Sequence, residues 1–247
     1  MSLIAEYFTK LYEEFRWVMF EKNRFDFILD GIKNTFLITL GSLLLGILLG
    51  VIVAIVRSTY DKNQSHLKKS GGLFYYLMAF LNGICKLYLT VIRGTPVVVQ
   101  LMIFYFIIFA STDNGVAVAT FAFGINSGAY VAEIFRSGIM AVDNGQFEAG
   151  RSLGLNYFQT MVYIVIPQMF KVVLPTLCNE FIVLLKETSV AGYVGVIDLT
   201  KAGNTIAGRT FSYFIPLISV AVIYLVVVVI LTKLVSLLER RLSNSDH

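Results

Sequence analysis

Little in this sequence is equipped for covalent chemistry. Cysteine occurs only twice, as Cys85 and Cys178, each inside an apolar run and without metal-ligand spacing, so both read as small core hydrophobes with no redox role. Histidine is as scarce, with His66 in a basic stretch and His247 at the last position. No Gly-x-x-x-x-Gly-Lys-Ser/Thr segment occurs, so nothing cradles nucleotide phosphates, and the chain itself is not expected to hydrolyse ATP. His-Glu-x-x-His and Gly-x-Ser-x-Gly are missing too, which disfavours an intramembrane hydrolase while leaving a lone Ser or Asp nucleophile open. The first thirty residues lack the basic start, apolar middle and small-residue cleavage site of a signal peptide.

Charge is scarce as well, at 15% of residues against 57% hydrophobic. A mean hydropathy of +0.75 lies outside the range of soluble domains, and 247 residues suit one integral membrane bundle. The net charge of +4 matters by position, because basic residues sort to the cytoplasmic side of membrane proteins; nucleic acid is not implied.

Along the chain, residues 1–30 mix Phe8, Tyr12, Phe15, Trp17 and Phe20 with Glu13, Glu14, Arg16, Glu21 and Lys22, the pattern of an amphipathic helix lying in the membrane interface. Residues 31–247 read as the membrane domain. Thr35 to Val56 is uncharged and long enough to cross a hydrocarbon core of roughly 30 Å. Gly46, Gly50 and Ala54 form a small-residue stripe on it, where a second helix can approach or where chance has left glycines. The stretch 57–70 carries Arg57, Lys62, Lys68 and Lys69 against Asp61 alone, so it is expected as a cytoplasmic loop that leaves the N-terminus outside. Leu73 to Ile92 is apolar apart from Lys86, and the run Val97 to Ala110 is too short to cross alone. The two are therefore merged into one crossing, a helix skirting the interface from about residue 73 followed by a second span to about 110.

Val116 to Ser137 makes a third span, and a fourth runs from about Lys171 to Tyr193 with Pro175, Lys186 and Glu187 inside it. Ile197 to Arg209 is polar and expected to be external. Phe211 to Leu231 is the fifth span, with Pro216 expected to kink it, and Lys233, Arg240 and Arg241 place the C-terminus in the cytoplasm. The fold class is thus all-α integral membrane, with five transmembrane helices after an N-terminal amphipathic helix.

Between the third and fourth spans, residues 141–167 form a polar island. Phe147 to Leu153 has helical spacing, Gly154 can take the positive φ that ends a helix, and Asn156 can cap the next. Glu148 and Arg151, three apart, can face each other, leaving Ala149 and Gly150 as a small surface for a partner's backbone. This stretch resembles the cytoplasmic coupling loop of binding-protein-dependent ABC importer permeases, in which Glu-Ala-Ala is followed by Gly and then Ile-x-Leu-Pro. Glu148, Ala149, Gly154, Ile164 and Pro167 fall on that pattern, with Gly150 in place of the second Ala and Ile166 in place of Leu. Three further segments resemble the polar amino acid branch of the family: Arg93-Gly94-Thr95-Pro96, Ala129 to Arg136, and Lys186-Glu187-Thr188-Ser189, where Glu187 replaces an Asp.

The resemblance implies a type I ABC importer permease in a bacterial plasma membrane, with the coupling helix docked on a separate cassette subunit through Glu148, Ala149, Gly150, Arg151 and Gly154. Its implied partners are a second permease subunit (the same chain or a close relative), two ATP-binding cassette ATPases that bind the ATP and Mg, an extracellular or periplasmic binding protein, and a polar amino acid. No cofactor is implied for this chain. From the residues themselves, ionisable groups inside spans face a protein interior or a wet cavity. Asn126, Tyr130 and Glu133 share one helical stripe, and Asn179 and Lys186 repeat the i, i+7 spacing, so these five are the candidate substrate-pathway residues. The competing reading is that Glu133 only pairs with Arg136, and Glu180 or Glu187 with Lys186 or a neighbouring helix. An amino-acid channel or facilitator without ATP coupling remains the alternative function, and a membrane enzyme a third.

Overall fold

The computed structural model describes residues 2–70 and 72–243, with side chains described at 5–62, 72–143 and 145–242. All regular elements among the described residues are helical, and five helices are long and apolar enough to cross a membrane.

Helix α1 (Ser2–Phe20) turns sharply into α2 (Arg24–Ser70). The turn needs two consecutive left-handed residues, Lys22 with φ 54° and Asn23 with φ 55°. Arg24 closes it: its guanidinium donates to the Trp17 carbonyl, pairs with Glu21 at 3.6 Å and lies 5.1 Å from the centre of the Trp17 ring. The stretch 57–70, expected as a loop, instead continues α2. It contains neither Gly nor Pro to stop the helix, and its Arg57 and Asp61 find partners on a neighbouring helix.

The central helix is α5 (Gly115–Ala141), begun by Asn114, whose side chain accepts from the Ala117 N–H. It packs most extensively against α2, and the small-residue stripe is what allows this. A Cβ on Gly46 would lie 3.2 Å from the Gly128 nitrogen, and one on Gly50 would lie 2.8 Å from the Ala132 nitrogen. Leu45 and Leu49 in turn pack where Gly124 and Gly128 leave room.

Helix α3 (Leu73–Gly94) is by itself of spanning length, and Thr95-Pro96 separates it from α4 (Val97–Ile103), which runs on through a wider turn to Ile108. Contacts show how the two share the climb. Tyr75 meets Tyr60 near the end of α2, the Tyr88 hydroxyl donates to the Ile125 carbonyl midway along α5, and Phe104 of the turn after α4 stacks edge-on against Phe121. Together α3 and α4 therefore rise once through the bundle, as one broken crossing, and α3 takes part in the climb where it was expected to skirt the interface. The break is tied by Gln100, whose amide donates to Ile92 O at 2.7 Å and Thr95 Oγ1 at 2.7 Å.

After α5 come two short helices, α6 (Asn144–Ser152) and α7 (Tyr157–Thr160), and then α8 (Ile166–Glu187), which continues as a 3₁₀ segment to Val194. The polar stretch expected to be external forms a helix, α9 (Leu199–Thr210), with Leu199, Ala202, Gly203, Ile206 and Ala207 buried against α2 and the last helix. Its polar residues other than Thr210 lie on one face, so its average composition concealed an amphipathic helix. The last helix, α10 (Phe214–Ser243), starts three residues later than expected, and Pro216 therefore stands in its first turn, where an N–H has no helical partner. No kink is required there.

Candidate functional site

The loop from α5 to α8 is built by its own capping groups. The Asp143 side chain accepts from the Gly145 N–H at 2.6 Å and starts α6. Gly154, at φ 78°, ends it, with Leu155 N–H returning to the Gly150 carbonyl at 3.0 Å. Asn156 then opens α7 in a reciprocal cap, accepting from Gln159 N–H while its own N–H donates to Gln159 Oε1, both at 2.9 Å. Backbone polar groups are thus satisfied locally, and the helix-turn-helix projects from the bundle with Glu148, Ala149, Arg151 and Leu153 exposed. Two expectations are corrected. Gly150 is buried and faces inward, where a Cβ would come within 2.6 Å of Thr160 Oγ1, so it belongs to the packing of α6 on α7 and not to a partner-facing surface. Glu148 and Arg151 make no ion pair with each other, and neither has an ion-pair partner among the described residues, so both charges face outward.

On the bundle itself, an open groove of about 390 Å³ lies between α5 and α8 with α3 at its edge, lined among others by Arg93, Tyr130, Glu133, Asn179 and Glu180. The Arg93 guanidinium lies 5.5 Å from the centre of the Tyr130 ring. Glu133 takes two hydrogen bonds from Arg136 at 3.2 Å and lies 4.0 Å from Arg57, while Arg136 reaches Asp61 at 3.5 Å. The pairing with Arg136 and a place in the groove lining are therefore both present. Glu180 Oε1 accepts from Ser127 Oγ at 3.0 Å, the link between α8 and α5.

Three of the five candidate pathway residues, Tyr130, Glu133 and Asn179, come together in this groove. Asn126 does not join them: it is 3% exposed and its Nδ2 donates to Gln100 Oε1 at 2.9 Å, on the side facing α4. Lys186 is exposed two turns beyond Asn179 and lies outside the groove lining. Sequence reasoning passed over Arg93 and Glu180 as pathway residues. Arg93 stood in a recognised segment but on another helix, and only the α3–α5 contact shows that it covers Tyr130.

The family profile described as binding-protein-dependent transport system inner membrane component matches residues 70–244. The chain belongs to that family. Among relatives of this transport component, the arginine transport system permease protein ArtQ of Bacillus subtilis is 36% identical over 225 residues, covering 89% of this chain and 94% of its own. The L-cystine transport system permease protein TcyB of the same organism is 31% identical over 231 residues, covering 92% of each. A putative glutamine transport system permease protein, GlnP of Rickettsia bellii, is 32% identical over 221 residues, covering 87% of this chain and 93% of its own. Among solved structures, one described as an amino acid ABC transporter with histidines superposes with a TM-score of 0.75 at 38% identity, covering 87% of this chain and 94% of that one. The inward-facing MetNI methionine ABC transporter superposes with a TM-score of 0.74 at 17% identity, covering 90% and 99%, and shares the type I importer permease fold.

Proposed function

We propose that this inner-membrane transport component is the permease half-unit of an ATP-driven importer for a polar amino acid. The observation that carries the reading is the loop 143–157, a self-capped helix-turn-helix with exposed charges held out from an apolar bundle by a family member whose relatives are named amino-acid permeases. Two such chains, or this one with a close relative, enclose the pathway, and each sets α6 on a cassette ATPase that supplies the ATP chemistry. A binding protein delivers the amino acid at the opposite end. The basic stretch 57–70 and the basic end of α10 support a cytoplasmic α6 end and an outside N-terminus, with α1 resting in the interface through Phe8, Tyr12, Phe15 and Trp17. Closure of the cassettes draws the α6 helices together and rocks the bundle outward. To move the population decisively, ATP must favour that state by several kcal/mol.

Within the groove, Arg93 suits a carboxylate, Glu180 an ammonium group, and Tyr130 and Asn179 supply the donors and acceptors that replace water shed by a zwitterion. Asn126 supports the wall from behind through Gln100. The test is uptake into proteoliposomes containing the chain with its cassette and binding protein. ATP-dependent accumulation of an amino acid is expected, and Tyr130→Phe and Asn179→Ala should lower it or alter competition by a panel of amino acids. Flux that needs neither ATP nor cassette would make the chain a facilitator.

A further inference from the structure

Among the described residues of α6, Phe147 is the one large side chain that the bundle encloses. It is 9% exposed and belongs to an apolar cluster with Ala54 of α2, Phe135 and Ile139 of α5, and Val165 and Met169 at the start of α8. Tyr157 of α7 stacks on the ring at 6.3 Å with an 18° interplanar angle. The Lys62 ammonium lies 3.8 Å from the ring centre. That nitrogen is sealed from solvent and has no hydrogen-bond partner among the described residues. An ammonium stripped of water loses three donor interactions, and attraction to the ring face is the compensation the structure offers it.

The neighbouring residues of α2 act on the same region. Asp61 pairs with Arg136 at 3.5 Å and Arg57 approaches Glu133 at 4.0 Å, so residues 57–62 grip α5 through two charges and α6 through a third. Backbone connectivity alone would join α6 only to α5, through Val142 and Asp143, and to α8, through α7.

We propose that Lys62 is a positioning residue for the coupling helix: its contact with Phe147 fixes α6 to α2, so that a displacement of α6 moves α2 together with α5 and α8. This rests on the reading of α6 as the coupling helix. A plain packing role would be filled equally well by Met, which matches the length of Lys without its charge, whereas the proposed role requires a cation over the ring and is met by Arg.

Hydrogen exchange of the α6 amides in the purified chain tests the positioning directly. Lys62→Met should raise their exchange roughly thirtyfold, the equivalent of a desolvated cation–ring contact, while Lys62→Arg stays within about twofold of wild type. In proteoliposomes with cassette and binding protein, amino acid imported per ATP hydrolysed should fall several-fold in Lys62→Met and in Phe147→Leu, and the double variant should be no worse than the weaker single one. Wild-type exchange in Lys62→Met overturns the proposal, as does a raised exchange with an unchanged transport ratio, since α6 would then be held by a contact that transmits nothing. Absence of ATP-dependent uptake by the wild type counts against the importer reading instead, and the exchange measurement still decides whether Lys62 positions α6.

Discussion

Two short polar helices, α6 and α9, interrupt the series of long apolar ones, and the bundle treats them in opposite ways. Helix α9 buries Leu199, Ala202, Gly203, Ile206, Ala207 and Thr210, and even its capping Asp198 is fully enclosed. Helix α6 buries Phe147 and Gly150, half-buries Gln146, whose Oε1 accepts from Gln168 Nε2 of α8, and holds its remaining described positions outward. The difference lies in spacing. In α9 the small and apolar residues recur every three to four positions and make a continuous face, whereas α6 offers one ring and one glycine, enough to anchor a helix without absorbing it. A helix tethered this way can be pushed by a partner; one wedged along its whole length transmits only what the bundle does.

The largest effect should come from breaking the wedge. Gly31 of α2 sits under the start of α9, where a Cβ would lie 2.9 Å from both the Asp198 carbonyl oxygen and the Leu199 Cα. These are backbone atoms and cannot swing aside, so Gly31→Val should cost about 3 kcal/mol and sharply reduce recovery of monodisperse protein. A thermal midpoint in detergent equal to wild type would show that α9 is loosely seated.

The corresponding change in the tethered helix should cost less and be reversible. Gly150→Ala meets Thr160 Oγ1 at 2.6 Å and Cγ2 at 2.7 Å, both side-chain atoms. We expect a loss of about 1–2 kcal/mol, most of it recovered in the double variant with Thr160→Ala. The pair also accounts for the departure from Glu-Ala-Ala noted in the sequence: with Thr at 160 the second small residue has to be Gly. Failure of the double variant to recover would place the constraint in the backbone.

A subtler effect concerns Asp198. Burial pushes its carboxyl above the ordinary carboxylate range, against the N–H groups of Thr200 and Lys201 that pull it down. A folded-state pKa above the unfolded one means that folding favours the protonated form. That contribution is fully present below the unfolded pKa and is lost as pH rises through the folded one. Wild type should therefore gain thermal stability as pH falls through this window, and Asp198→Asn, which cannot titrate, should lose that part of the slope. Asp198→Ala additionally removes the cap and should cost about 1 kcal/mol. Parallel pH profiles for wild type and Asp198→Asn would mean that the carboxylate is better solvated than its enclosure implies.

Most of the bundle was legible because membrane physics writes it in long uncharged runs: the α2 core, the broken α3–α4 crossing at Thr95-Pro96, and the Gly46-Gly50-Ala54 seam all appear in the sequence. The loop between α5 and α8 was legible down to its caps, since Gly154 and Asn156 act within a few residues of themselves. What stayed hidden depended on other helices. Asn126 shares a stripe with Tyr130, yet a 40° difference in direction around α5, the sum of four 100° steps less one full turn, turns one toward Gln100 and the other into the groove. Polar average composition disguised α9. Lys62 looked like one more basic residue of a cytoplasmic loop, because nothing nearby in sequence announces the Phe147 ring.

The smallest effect on stability should come from the outer face of α6, and it bears most directly on whether the tethered helix is a docking surface. Glu148 and Arg151 are exposed and have no ion-pair partner among the described residues, so Glu148→Lys and Arg151→Glu should each change stability by no more than about 0.5 kcal/mol. If the two charges meet a cassette, each reversal places like against like at that contact and should abolish ATP-driven uptake while the chain still inserts and folds. The double reversal discriminates further. An internal pair three residues apart would be restored by swapping both charges, whereas two residues that read separate spots on a partner would be doubly mismatched. We therefore expect no recovery of uptake in Glu148→Lys/Arg151→Glu. Recovery would mean that the two side chains act on each other when the cassette binds, despite standing apart in the free chain, and normal uptake in both single variants would remove the outer face of α6 from the contact altogether.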